Sequence, residues 1–146
     1  MNSTFMSQGV ILIEILGYFA LGKKGCGMAL SILVVDDDQD VSLMLKDRLT
    51  FLGFYVTTAN NGAEAMSMLK TLTVDGILLD IQMPVMNGMT MLEQLREQDA
   101  KMPVIVMTAE QNKQKLIQAM ELGANDYLVK PIDVDLLAKK CFTLFG

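Results

Sequence analysis

The chain has 146 residues, 51% of them apolar and 20% charged, a balance that fits one globular domain with a real core and excludes a disordered chain. The net charge is −5, and no basic block interrupts it, which argues against direct binding of nucleic acid. Histidine is absent, so the chain can supply neither a phosphohistidine nor a histidine-based catalytic dyad.

Residues 1–30 differ from the rest. The run 10–21, VILIEILGYFAL, is apolar apart from Glu14, and Gly22, Lys23, Lys24 and Gly25 follow it. It falls short of the roughly 20 residues that a membrane-spanning helix needs, and its lysines come after the apolar run, where a secretory signal has them before it. Three readings stay open: a helix packed on the domain or a partner, an interfacial anchor, or a non-native leader ahead of Met28. The abrupt start of the regular pattern after Met28 favours the leader. Asn2-Ser3-Thr4 matches a glycosylation acceptor at chance level only. Gly22, Gly25 and Gly27 precede a strand, whereas a phosphate-binding loop follows one. The expected division is therefore an N-terminal extension over 1–30 and one domain over 31–146.

From Ser31 short apolar runs alternate with helical patterns. Residues 32–35 form a strand that ends in Asp36-Asp37-Asp38. Val41, Met44, Leu45, Leu49 and Leu52 recur at helical spacing, and Gly53 ends that helix. Residues 54–58 are a second strand, more polar and placed at an edge. Ala65, Met66, Leu69 and Leu72 mark a second helix. Residues 76–79 are a third strand, an apolar run without alternation, as expected of a strand buried on both faces. It delivers Asp80, and a loop marked by Pro84 and the turn pair Asn87-Gly88 follows. Leu92 and Leu95 anchor a third helix, with Glu93, Glu97 and Asp99 on its wet face. A fourth strand, 104–107, enters through Pro103 and ends at Thr108. Leu116, Ile117 and Met120 define a fourth helix, closed at Gly123. Residues 127–129 are a fifth strand ending at Lys130-Pro131, and Val134, Leu137, Ala138, Cys141 and Phe145 line a closing helix. Cys26 and Cys141 make no metal or redox motif, and Cys141 reads as a small buried hydrophobe. The methionines crowded between Met83 and Met91 read as adaptable packing.

Five strand–helix repeats with connections long enough to cross over predict an α/β fold, a doubly wound five-stranded parallel sheet with five helices in the flavodoxin-like order. In such a sheet the carboxyl ends of the strands face one crevice. The first strand brings Asp36 and Asp37 there, the third Asp80, the fourth Thr108 and the fifth Lys130. Two carboxylates 4 Å apart repel by about 4 kcal/mol at an effective dielectric of 20, so three together require cations. Lys130 supplies one charge and a divalent metal two. Oxygen ligands with no histidine or cysteine nearby favour Mg²⁺ or Mn²⁺ over zinc. Such a site suits phosphoryl transfer to a carboxylate. Asp80 is the nucleophile, Lys130 pairs with the phosphoryl group and Thr108 donates a hydrogen bond to it.

The segments Ile32-Leu33-Val34-Val35-Asp36-Asp37-Asp38, Asp80-Ile81-Gln82-Met83-Pro84-Val85-Met86-Asn87-Gly88, Val104-Ile105-Val106-Met107-Thr108-Ala109 and Asp126-Tyr127-Leu128-Val129-Lys130-Pro131 resemble, in order, the motifs of the receiver domain of two-component response regulators. The resemblance covers nearly all of 31–146. It implies a stand-alone phosphoacceptor domain, in which Asp36 and Asp37 belong to a metal pocket completed by the backbone carbonyl of Gln82. It further implies that a histidine kinase or a histidine phosphotransfer protein phosphorylates Asp80. Thr108 and Tyr127 then couple that event to the surface around the fourth and fifth helices, where a downstream protein reads a face including Met120, Tyr127 and Val134. Lys130-Pro131 would be a cis peptide. The domain would not be an enzyme beyond its own phosphorylation and dephosphorylation, and it would work in the cytoplasm.

Asp38 reads as a helix N-cap in preference to a metal ligand, and Lys139 and Lys140 as complements to the last helix's dipole. The acids Asp36, Asp38 and Asp40 do not make a calcium loop, because Val41 stands where that loop needs glycine. A phosphohydrolase of the haloacid dehalogenase type would use Asp36-Asp37-Asp38 but leaves Asp80 unexplained. After Lys130 it finds only Asp133 and Asp135, in the last helix's first turn. A flavodoxin-like electron carrier would need a neutral phosphate loop where this chain has acids. A degenerate receiver acting as a binding module is disfavoured by the presence of all five polar site residues.

Overall fold

In the computed structural model, residues 29–83, 87–109 and 111–146 are described; the apolar run 10–21, the lysines after it, Cys26, the candidate start at Met28 and the loop mark Pro84 lie outside them. Strands and helices alternate: β1 (Ser31–Val35), α1 (Gln39–Phe51), β2 (Tyr55–Ala59), α2 (Gly62–Met68), β3 (Gly76–Asp80), α3 (Gly88–Gln98), β4 (Val104–Ala109), α4 (Lys113–Glu121), β5 (Asp126–Lys130) and α5 (Val134–Phe145). All strand pairs are parallel, in the order β2-β1-β3-β4-β5. The doubly wound architecture is as expected, with the more polar β2 at one edge.

The pleat sorts the core into two layers. Ile32, Val34, Leu78, Ile105 and Met107 point to one face and meet Leu45 and Leu49 of α1 with Leu137, Cys141 and Phe142 of α5. Leu33, Val35, Ile77, Leu79, Val104 and Val106 point to the other, under Ala65 of α2, Met91, Leu92 and Leu95 of α3, and Ala119 of α4. Every residue of β3 is buried, which is why its sequence shows no alternation: helices cover both sides. Cys141 is buried in the first layer, where desolvation pushes its thiol well above the ordinary value and leaves it an inert hydrophobe.

Local signals set the helix ends. The Asp38 side chain accepts from the Asp40 and Val41 N–H groups, as its N-cap reading requires, and Asn61, Asn87 and Asp133 cap α2, α3 and α5 in the same way. Gly53 and Gly123, which follow α1 and α4, hold positive φ of 99° and 104°, a backbone region cheap only for glycine.

Several details depart from the sequence reading. The second helix ends at Met68, with Leu69 as its C-cap; Leu72 lies beyond it in a turn whose N–H reaches Met68. Burial there continues past the helix, so periodicity overran its end. Asn87-Gly88 is not a free turn pair: Asn87 caps α3 and Gly88 is its first residue. On α4 the buried residue is Ala119, while Ile117 is 57% exposed, because a small side chain lets the helix lie close and turns the larger one outward. Lys140 lies within α5, not in its last turn, and is engaged in side-chain contacts described below.

Candidate functional site

The chain leaves β1 to build β2 on one side and returns to place β3 on the other, so strand order reverses between β1 and β3. At such a reversal the loops after neighbouring strands diverge and open a crevice at the carboxyl ends. The register aligns Val35 with Leu79. The next residue on each strand is an aspartate, so the topology sets Asp36 beside Asp80.

Both are buried, Asp36 fully and Asp80 to within 3%, while Asp37 is exposed at the mouth. One carboxylate oxygen from each of Asp36, Asp37 and Asp80 lies within 4.8 Å of the others. Lys130, from the end of β5, donates to Asp36 Oδ2 at 3.0 Å and to Asp80 Oδ2 at 3.2 Å. The remaining oxygens are held by main chain: the Asp38 N–H donates to Asp36 Oδ1 at 2.9 Å and the Gln82 N–H to Asp80 Oδ1 at 2.8 Å. Ser42 of α1 adds a hydroxyl donated to the Asp36 carbonyl at 3.3 Å.

The electrostatics follow from this crowding. Burial lifts the Asp80 carboxyl to about 6; the Gln82 N–H and Lys130 oppose the rise and the Asp36 charge reinforces it. For Lys130, burial alone would lower the pKa, but the hydrogen bonds and charges of Asp36 and Asp80 outweigh it and hold the ammonium above its ordinary value. One ammonium against three carboxylates leaves two negative charges in a partly buried space. The oxygen-only donor set and that residual charge fit a hard divalent cation such as Mg²⁺ or Mn²⁺.

Gly88 completes the frame. A Cβ there would meet the Asp80 carbonyl oxygen and the Ile81 Cα, so the start of α3 lies directly on the backbone that presents Asp80. Sequence reasoning assigned Gly88 to a turn; its proximity to Asp80 depends on how α3 packs.

Thr108 is buried near the end of β4, and among the described residues its hydroxyl donates to the Ala109 carbonyl, at 3.3 Å. Tyr127 on β5 stands 42% exposed. Thr108 and Tyr127 line one cleft of about 170 Å³ with Ala109, Asn112, Lys113, Leu116 and Val129. Lys130-Pro131 is a cis peptide. Of the acids after Lys130, Asp133 is committed to capping α5, so the site has its acidic centre at Asp36, Asp37 and Asp80. Sequence reasoning missed the side-chain contacts of Lys140, which donates to Asp126 Oδ1 at 2.8 Å and lies 5.4 Å from the Tyr127 ring centroid. The only sequence signal was a basic residue fourteen positions after an acid, too remote to pair without the fold.

Comparison with known proteins points to one family. The sequence pattern described as "Response regulator receiver domain" matches residues 32–142. The regulatory protein AtoC of Escherichia coli is 39% identical over 106 residues, which are 73% of this chain and 23% of that protein. The transcriptional regulatory protein PrrA of Mycobacterium leprae is 44% identical over 100 residues, 68% of this chain and 43% of that one. The chain thus spans less than half the length of these curated relatives. Among solved structures, the receiver domain of the Francisella response regulator 1452 superposes with a TM-score of 0.74 at 32% identity, over 80% of this chain and 96% of that one. The Vibrio cholerae chemotaxis protein CheY4 superposes with a TM-score of 0.75 at 29% identity, over 80% and 99%.

Proposed function

Since the chain belongs to the family of response regulator receiver domains, signalling modules of two-component systems, we propose that it is a phosphoacceptor switch in which Asp80 takes a phosphoryl group from a phosphohistidine on another protein. The observation that carries this reading is Lys130 bonded to both Asp36 and Asp80 across the β1–β3 crevice. These 146 residues hold no histidine, so the phosphohistidine lies outside them, on a histidine kinase or a histidine phosphotransfer protein.

In the transfer, an Asp80 carboxylate oxygen attacks phosphorus as the bond from phosphorus to the donor's imidazole nitrogen breaks. The nitrogen keeps the electron pair and Asp80 becomes an acyl phosphate. Little covalent help is required of the acceptor; positioning and charge dominate. The Gln82 N–H orients one Asp80 oxygen. Lys130 can exchange its bond to Asp80 for one to the incoming phosphoryl oxygens, and Thr108, weakly engaged by its own neighbour, is free to donate to them. Asp36, Asp37, Asp80 and the main-chain carbonyl of Gln82 would hold Mg²⁺ or Mn²⁺, which supplies the positive charge that lets two anions approach. Attack of water at the phosphorus of the acyl phosphate returns the Asp80 carboxylate and releases inorganic phosphate.

Phosphorylation then shifts an existing balance between two arrangements of the α4–β5–α5 surface, with Thr108 and Tyr127 as the link. Met120 and Tyr127 are exposed on that side, and Val134 is half-buried beside it, which supports a downstream protein reading this face. The cytoplasmic setting is part of the same reading; no helix among the described residues is long and apolar enough to cross a membrane. We take 31–146 as the receiver domain.

Intact mass after incubation with acetyl phosphate, with and without Mg²⁺, tests the reading. One phosphoryl adduct is expected, requiring Mg²⁺ and absent in Asp80→Asn. An adduct that persists in that variant would falsify Asp80 as the acceptor, and no adduct under any condition would favour a phosphorylation-independent binding module.

A further inference from the structure

Tyr127 is an aromatic side chain left 42% exposed at the rim of a cleft. That cleft measures about 170 Å³, and a cavity of about 150 Å³ is large enough to hold benzene. Tyr127 is thus both partly open to solvent and a wall residue of a space large enough for an aromatic ring. Thr108 forms part of the wall, and its hydroxyl bond of 3.3 Å is longer than ordinary O–H···O bonds.

The ring's partner is Lys140 of α5, whose ammonium lies 5.4 Å from the ring centroid, within the range of a cation–π contact. That ammonium is itself fixed, donating to Asp126 Oδ1 at 2.8 Å, with the two side chains only 22% and 30% exposed. Asp126 immediately precedes Tyr127 on the edge strand. One lysine thus ties two consecutive residues of β5 to α5, and neither contact touches the acidic crevice.

We propose that Lys140 is a positioning residue that holds the Tyr127 ring outside the cleft and so biases the unphosphorylated surface toward the ring-out arrangement. The meaning of the bias rests on the switch reading above; the bias itself does not. A cation–π contact at a partly exposed site corresponds to about a two- to fivefold change in the balance between ring-out and ring-in states. Any event that draws the ring toward Thr108 must first give up the Lys140 contact, so Lys140 sets how readily the surface responds.

The chain has no tryptophan and three tyrosines, so tyrosine emission is directly readable. In a Tyr18→Phe/Tyr55→Phe background, acrylamide quenching reports the exposure of Tyr127 alone, with no phosphodonor present. Lys140→Met keeps the aliphatic stem and removes the charge; it should lower the quenching constant, by up to about fivefold. Lys140→Arg should restore the parent value, and Asp126→Asn, which frees the ammonium, should lower quenching by a smaller factor. Unchanged or increased quenching in folded Lys140→Met overturns the proposal. If that variant does not fold, unchanged quenching in Asp126→Asn overturns it instead. Because acetyl phosphate is absent, failure here is distinct from failure of Asp80 to accept a phosphoryl group.

Discussion

At Asp80, burial and charge crowding work against the folded state. Its carboxyl is raised to about 6 from an ordinary 3.8, so the native chain binds the proton more tightly than the unfolded chain. The associated stability is fully present below about pH 3.8 and is lost as pH rises through about 6. Asp80→Asn cannot ionise and escapes this loss. In the absence of metal it should be more stable than the parent at pH 7.5, and the gap should narrow as the pH falls toward 4. Urea unfolding of both proteins across that range checks the sign, since contributions from other groups cancel in the difference.

The helices show how packing, not pattern alone, assigns a face. On α4 the side chain in the core is Ala119, fully buried, whereas Ile117 faces solvent. Ile117→Ser should change stability by no more than about 0.5 kcal/mol, while Ala119→Leu should cost about 1–3 kcal/mol by overpacking the layer beneath α4. Chemical denaturation midpoints decide between this and the reverse order that hydrophobicity alone suggests. The start of α3 carries a second test. In Gly88→Ala the added carbon meets the Asp80 carbonyl and the Ile81 Cα, backbone atoms that cannot swing aside. The expected cost is about 1–3 kcal/mol, together with slower phosphoryl uptake from acetyl phosphate, because relief of the clash moves Asp80.

For the molecule as a whole, the sheet is a frame that forces like charges together at the point where its strand order reverses. On the proposed reading, cation binding and folding would therefore be linked: a ligand that binds only the native chain raises the unfolding midpoint. Adding Mg²⁺ in excess over the protein should raise the melting temperature at pH 7.5. The shift should shrink at pH 5, where the Asp80 proton competes with the cation, and chelation should reverse it. Asp37→Ala should weaken the shift with little change in the metal-free melting temperature, since Asp37 is exposed and pairs with nothing in the core. A shift equal at both pH values would place the cation elsewhere.

Much of this was legible in the chain itself. Five apolar runs separated by helical spacings leave a parallel sheet as the way to bury them, and the acids, threonine and lysine directly after four of the runs lie at the same sheet end whatever the strand order. Asp38 as a cap, Gly53 and Gly123 as helix stops and Cys141 as a core residue follow from local chemistry that acts within a turn or two. What required the tertiary structure is every relation between distant segments. The 3.0 and 3.2 Å bonds of Lys130, the seat of Gly88 on the Asp80 backbone, the inward face of α4 and the hold of Lys140 on Tyr127 all join residues from different elements. A sequence encodes the periodicity of each element, but the rotation of one element against another is set by which side chains fit together, and that is decided only when the layers close.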